Sequence, residues 1–207
     1  LVAMTIIIAL AALVFSLSSR MISNAQKAVC VSNFRGIGNA LQMYVSEANG
    51  RLPGPLNTGQ SALCNKDSRS LVTYIGPYLE DPRDNGAEPY LINNYGCPSI
   101  MKLVKENTVA KPPVVYRLED RQNKLLDTSV PANDISYPWG YNAGAIPKRL
   151  DEINPRSAGM VRMITEQNTT LGFGGWSNVG PAKPAHGKQS MALYWDFSVR
   201  PVVLSQL

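Results

Sequence analysis

The beginning of the chain is almost entirely apolar. Residues 1–17 contain only two polar residues, Thr5 and Ser16, and the first charged residue is Arg20. As a helix, this stretch would be about 25 Å long, slightly less than the ~30 Å hydrocarbon core of a membrane. A helix that is apolar on every side needs lipid or other apolar helices around it. The large apolar residues that would make these contacts are Leu1, Ile6, Ile7, Ile8, Leu10, Leu13, Val14, Phe15 and Leu17.

The apolar pattern becomes one-sided over residues 20–49. Apolar residues recur there at intervals of three or four, the spacing of one face of an α-helix. Asn49 and Gly50 are typical of a helix end. We therefore predict one continuous helix over residues 1–50, apolar over 1–19, whose second part packs against the rest of the chain. The residues predicted to make that packing are Ile22, Cys30, Phe34, Ile37, Leu41 and Tyr44.

Residues 51–207 have a different character, because all 15 prolines of the chain lie there. Proline ends helices and favours turns, so this part is predicted to be a globular head with long loops. Its apolar patterns predict short helices at 68–79 and 98–107, strands at 114–118 and 161–165, and a hairpin of 190–195 with 199–204. The predicted fold class is α+β, with one long N-terminal helix packed on a small antiparallel sheet.

Charge excludes some functions and favours none. The formal net charge is +5, only 17% of residues are charged, and no run of five like charges occurs. A nucleic-acid-binding surface normally clusters its lysines and arginines, so we expect no nucleic-acid partner.

Residues with catalytic or metal-binding potential are few. His186 is the only histidine, and no nucleophile motif accompanies it. We interpret His186 as structural, opening the C-terminal hairpin and hydrogen-bonding near Asp196. The acidic groups at 80–84, 119–120 and 151–152 do not follow the pattern of a calcium loop. We expect no enzyme activity, no cofactor and no metal, with a structural calcium ion in the head left as an open alternative.

Several blocks of the sequence resemble type IV pilin-like proteins and pseudopilins. The blocks are LVAMTIIIALAAL at 1–13, AVCVSNFRGIGNALQMYVSEANGRLP at 28–53, YGCPS at 95–99 and YPWGYN at 137–142. One bacterial branch of that family also ends in a histidine, nine residues and Asp-Gly, which His186 and Asp196 match. Phe197 stands where that branch has glycine, and we expect it to resist the positive φ of a tight turn.

The resemblance implies a structural filament subunit. Members of the family assemble through their apolar N-terminal helices into a pilus or pseudopilus, with the heads outside. It further implies processing by a prepilin peptidase, an inner-membrane assembly machinery, a single-pass inner-membrane precursor, and a final place in an extracellular or periplasmic filament. The sequence leaves a second hypothesis open, a membrane-tethered exported binding domain that does not polymerise. It does not distinguish a major pilin from a minor pseudopilin.

The three cysteines, Cys30, Cys64 and Cys97, leave several pairings open. An exported domain favours a disulfide. Cys30 lies on the apolar face of the helix, and Cys30 and Cys97 both fall in blocks that resemble the pilin family, whereas Cys64 does not. The candidates are a Cys30–Cys97 bond, a Cys64–Cys97 bond, and three free thiols, because sequence alone does not determine connectivity.

Overall fold

The protein is α+β, with a long N-terminal helix and small antiparallel sheets. The computed structural model describes residues 2–61, 63–64, 69–79, 90–92, 95–103, 114–118, 137–140, 145–153, 162–166, 184–187 and 189–203. The N-terminal helix, α1, spans Val2–Glu47 without interruption. Two shorter helices, α2 at Leu71–Ile75 and α3 at Pro98–Leu103, pack against it.

Helix α1 ends where the sequence predicts. Asn49 and Gly50 both take positive φ, at 54° and 82°. The amide of Gly50 donates to the carbonyl of Val45 at 2.8 Å, a bond that satisfies one of the free carbonyls at a helix end. The chain therefore turns sharply after α1 and continues into the head.

The head contains a five-stranded antiparallel sheet with strand order β1-β4-β5-β6-β7. Its strands are β1 at Gly59–Ser61, β4 at Val114–Leu118, β5 at Arg162–Glu166, β6 at Gln189–Tyr194 and β7 at Val199–Val203. A separate ribbon joins β2 at Leu63–Cys64 to β3 at Tyr90–Leu91. Short 3₁₀ turns occupy Gly76–Tyr78 and Leu150–Glu152.

The predicted short elements are present in shifted or shorter form. Helix 68–79 is α2 plus the first 3₁₀ turn, and helix 98–107 is described only as far as Leu103. The predicted strand 161–165 lies one residue later, and the predicted hairpin is formed by β6 and β7. Its last residue, 204, lies outside the described residues.

The core lies between the C-terminal half of α1 and the sheet. Phe34 on the helix contacts Tyr116 on β4, with ring centroids 4.9 Å apart, and Tyr116 contacts Tyr95 edge-on at 5.2 Å. All three rings are buried, and the Tyr116 hydroxyl donates to the backbone carbonyl of Tyr95. Burial raises the pKa of Tyr95. These contacts fix the helix on the central strands.

Candidate functional site

The first part of α1, Val2–Ile22, carries large apolar side chains that the head does not cover. We call Val2–Ile22 the apolar segment; it is about 30 Å long at 1.5 Å per residue. Twelve of its large apolar side chains are between 54% and 81% exposed. They are Val2, Met4, Ile6, Ile7, Ile8, Leu10, Leu13, Val14, Phe15, Leu17, Met21 and Ile22. An exposed apolar surface of this size on one chain is typical of an interaction site.

Five of the six residues predicted to pack on the head do so, and Ile22 does not. Cys30, Phe34, Ile37 and Leu41 are buried, and Tyr44 is half-buried beside Tyr74, at 5.6 Å between ring centroids. Packing was the wrong expectation for Ile22, which is 57% exposed. Among the α1 side chains that the structure describes, Cys30 is the first that is buried, two turns beyond Ile22. The head therefore begins too late in α1 to cover Ile22. Leu1 lies outside the described residues.

Polar contacts surround the point at which α1 enters the head. The Lys27 ammonium donates to the Gln189 side-chain oxygen at 3.1 Å, and the Asn33 amide donates to the Gly96 carbonyl at 2.8 Å. The Ser99 hydroxyl donates to the Gln26 side-chain oxygen at 3.3 Å. We call the three α1 residues that make these contacts, Gln26, Lys27 and Asn33, the polar collar. Helical spacing places Gln26 and Asn33 on the same face as Cys30, a sequence feature that could have indicated these contacts. The collar orients the helix where its apolar contacts with the head begin.

A disulfide joins α1 to the head inside this collar. It links Cys30 to Cys97, with their Cα atoms 4.8 Å apart, and both residues are fully buried. This is one of the two pairings that the sequence left open. Cys97 immediately precedes α3, and its carbonyl accepts from the Met101 amide at 3.0 Å. The bond therefore ties the long helix to the start of a second helix.

His186 lies against this disulfide. Its Nε2 is 3.5 Å from Cys97 Sγ, and its backbone forms an antiparallel bridge with Gln189 at the start of β6. The expectation that His186 hydrogen-bonds near Asp196 was wrong. Asp196 follows the far end of β6, a strand of six residues that is roughly 20 Å long. The two motif residues therefore lie at opposite ends of the strand.

Asp196 organises the turn between β6 and β7. Its carboxylate accepts from the Ser198 amide and hydroxyl and pairs with the Arg200 guanidinium. Partial burial disfavours the ionised carboxylate, but the hydrogen bonds from Ser198 and the charge of Arg200 prevail and lower the pKa of Asp196. The turn is thus held by an ionised aspartate.

Phe197 adopts the positive φ that its size was expected to resist. Its φ is 60°, and its amide donates to the Tyr194 carbonyl at 2.8 Å, as in a turn with a left-handed residue. The half-buried ring packs against the core beside α1, where Gly38 has no side chain. An added Cβ at Gly38 would lie 3.5 Å from both Phe197 and Leu193. Ring burial therefore offsets the cost of the left-handed backbone.

The acidic groups considered for a calcium ion are only partly described. Two of the three acidic groups, 80–84 and 119–120, lie outside the described residues. In the third group, both oxygens of Asp151 accept hydrogen bonds from Arg149. Those bonds lower the pKa of Asp151. Among the described residues, one cluster has side chains that commonly bind metals: Cys30, Cys97 and His186. Their sulfur and nitrogen ligand atoms all lie within 4.8 Å of one another.

Comparisons with protein-family models, curated proteins and solved structures find no match for this chain. Among the described residues, no helix has an apolar stretch long enough to cross a membrane.

Proposed function

We propose that this protein is the structural subunit of an extracellular or periplasmic filament of the type IV pilus or pseudopilus kind. The observation that carries the proposal is the exposed apolar segment, Val2–Ile22, on a helix whose other half is anchored in the head. In this proposal identical apolar segments pack together in the filament core and the heads lie outside. Before assembly, the apolar segment is embedded in the inner membrane, and an assembly machinery transfers the subunit from the membrane to the filament.

The exposed area is large enough to drive association. Completing the burial of a large, mostly exposed apolar side chain contributes about 1–2 kcal/mol. For the twelve exposed side chains of the segment, the total is of order 10–25 kcal/mol. Association costs about 4–15 kcal/mol in lost translational and rotational freedom. Burial of most of the segment among identical helices therefore exceeds this cost at the middle of both ranges.

The anchoring of α1 supports a filament rather than a loose tether. The Cys30–Cys97 disulfide and the contacts of Lys27 and Asn33 hold the head at one position along the helix. A filament with a regular surface needs every head at the same height and angle relative to the core. A tether needs only a linker of sufficient length, which a flexible segment would provide.

The test compares matched aspartate substitutions in the full chain. Ile7→Asp with Leu13→Asp introduces carboxylates on two sides of the apolar segment, and Ile146→Asp introduces one at a head residue that is 73% exposed. After removal of detergent, we expect filaments from the wild type and from the Ile146 variant. We expect dispersed chains from the segment variant, because burying an unpaired carboxylate costs several kcal/mol. Sedimentation velocity and electron microscopy provide the measurement.

Three results would contradict the proposal. The first is a wild-type chain that stays single in buffer without detergent or lipid. The second is an amorphous precipitate with no helical order in averaged images. The third is a chain that inserts into lipid vesicles, remains monomeric there, and forms no filaments under any of these conditions, which is the behaviour of a membrane-tethered binding domain.

A further inference from the structure

Three side chains that commonly bind transition metals meet where α1 enters the head. Cys30 comes from α1, Cys97 from the residue before α3, and His186 from the bridge that begins β6. Their sulfur and nitrogen atoms all lie within 4.8 Å of one another. The two cysteines are fully buried and the histidine is partly exposed. The two sulfurs are joined as a disulfide, so the set is complete only after that bond is reduced.

We propose that reduction of the disulfide converts this cluster into a binding site for a thiophilic divalent cation. Zn²⁺ is the ion that this set of ligands fits best. Zinc binds thiolate sulfur at about 2.3 Å and imidazole nitrogen at about 2.0–2.1 Å, in tetrahedral geometry. Two such ligands of one tetrahedral ion are therefore about 3.5 Å apart. The distance from Cys97 Sγ to His186 Nε2 is 3.5 Å. The histidine thus already stands at ligand distance from the cysteine.

The chemistry of the conversion balances with a phosphine as the reductant. The phosphine and one water reduce the disulfide to two thiols, and the phosphine becomes its oxide. Zinc then replaces the two thiol protons, which pass to solvent, and accepts the lone pair of the neutral imidazole. The two thiolates offset the two charges of the ion, so the buried site carries no net charge. A water on the exposed side of His186 completes the tetrahedron.

Contacts other than the disulfide also hold the three residues in place. Cys30 lies inside α1, between Lys27 and Asn33, and each of these two residues makes its own hydrogen bond to the head. The Cys97 carbonyl accepts from Met101 in the first turn of α3, and the His186 backbone pairs with Gln189. Rotation of the two cysteine side chains is then the main change needed to admit an ion.

The experiment uses the full chain in mild detergent. It carries Cys64→Ser, which removes the third thiol, so that only Cys30 and Cys97 can bind metal or exchange disulfides. After phosphine reduction, Co²⁺ is titrated as a spectroscopic substitute for zinc, and Zn²⁺ is then added in competition. We expect one Co²⁺ per chain, a thiolate-to-cobalt charge-transfer band, and loss of the band on addition of zinc. The oxidised protein should show no band, and His186→Ala should bind at least about 10-fold more weakly, because it has lost a ligand.

Further controls separate a metal site from a structural histidine. His186→Gln retains a polar side chain but no imidazole, so it should bind as weakly as His186→Ala. Cys30→Ser with Cys97→Ser should remove the charge-transfer band altogether. Circular dichroism follows folding in parallel. A reduced chain that unfolds and regains helix only with zinc would support the site, since metal binding then supplies folding free energy.

The proposal is overturned if the reduced protein shows no thiolate–cobalt band, or if it remains unfolded in the presence of zinc. It is also overturned if the histidine variants bind as tightly as the parent, or if the oxidised protein binds equally well. The site lies within one chain and does not depend on assembly. A chain that forms no filaments therefore tests the metal site as well as one that does.

Discussion

Loss of the Cys30–Cys97 disulfide should destabilise the head severely. The bond closes a loop with a sequence separation of 67 residues. The loop-entropy relation for a cross-link of this length gives about 4 kcal/mol at 25 °C, because the bond restricts the unfolded chain. A small domain is stable by about 5–15 kcal/mol, so this one bond supplies a large share of the total. The variant that tests it carries Cys30→Ala and Cys97→Ala in a Cys64→Ser background.

Urea unfolding of the head measures this loss. Trp139 and Trp195 are buried against each other, with ring centroids 5.2 Å apart, so their fluorescence should report unfolding of the head. With a slope of about 2 kcal/mol per molar urea, a loss of about 4 kcal/mol lowers the midpoint by about 2 M. The parent with only Cys64→Ser provides the reference.

A matched control separates the cross-link from the packing of the sulfur atoms. The reduced parent, measured with a phosphine and a chelator, retains both sulfurs but not the bond. It should lie within about 1 kcal/mol of the double alanine variant, because the loop-entropy contribution is absent from both. A loss below about 1 kcal/mol in the alanine variant would refute the reasoning, since it would mean that the disulfide barely restricts the unfolded chain.

Three further substitutions test local features of the structure. Gly36→Ala should stabilise the protein by about 1 kcal/mol in thermal denaturation, because Gly36 is inside α1 with open space around it. The same change at Gly54 should destabilise it by about 3 kcal/mol, since φ is +148° and the new Cβ would lie 2.2 Å from the Trp139 carbonyl oxygen; equal effects of the two changes would contradict this comparison. The lowered pKa of Asp196 means that its stabilisation is full above the unfolded-state pKa of about 3.9 and is lost as the pH falls through the folded-state value. Asp196→Asn should therefore weaken the head at neutral pH and flatten the dependence of stability on pH below about 4, and an unchanged acid profile would refute that role for the turn.

The long helix was predictable from sequence because its causes are local. The apolar run, the three-to-four spacing and the Asn49-Gly50 stop are each set by neighbouring residues. The strand at Val114–Leu118 and the hairpin of β6 with β7 were recognisable for the same reason. Phe197 shows the limit of local rules, because a tertiary contact beside Gly38 compensates for a backbone conformation that its side chain disfavours.

Only the tertiary structure decided which residues meet. The spacing of apolar residues predicted that Ile22 packs against the head, as Cys30 does. That spacing contains no information about where along α1 the contacts with the head begin. Cysteine pairing was open, because it depends on which segments the fold brings within reach of each other. His186 lies beside Cys97, 89 residues away along the chain, because β6 starts next to the entry point of α1. The sequence by itself determined a helix with an apolar end, and three-dimensional packing determined how that helix is anchored and what surrounds its disulfide.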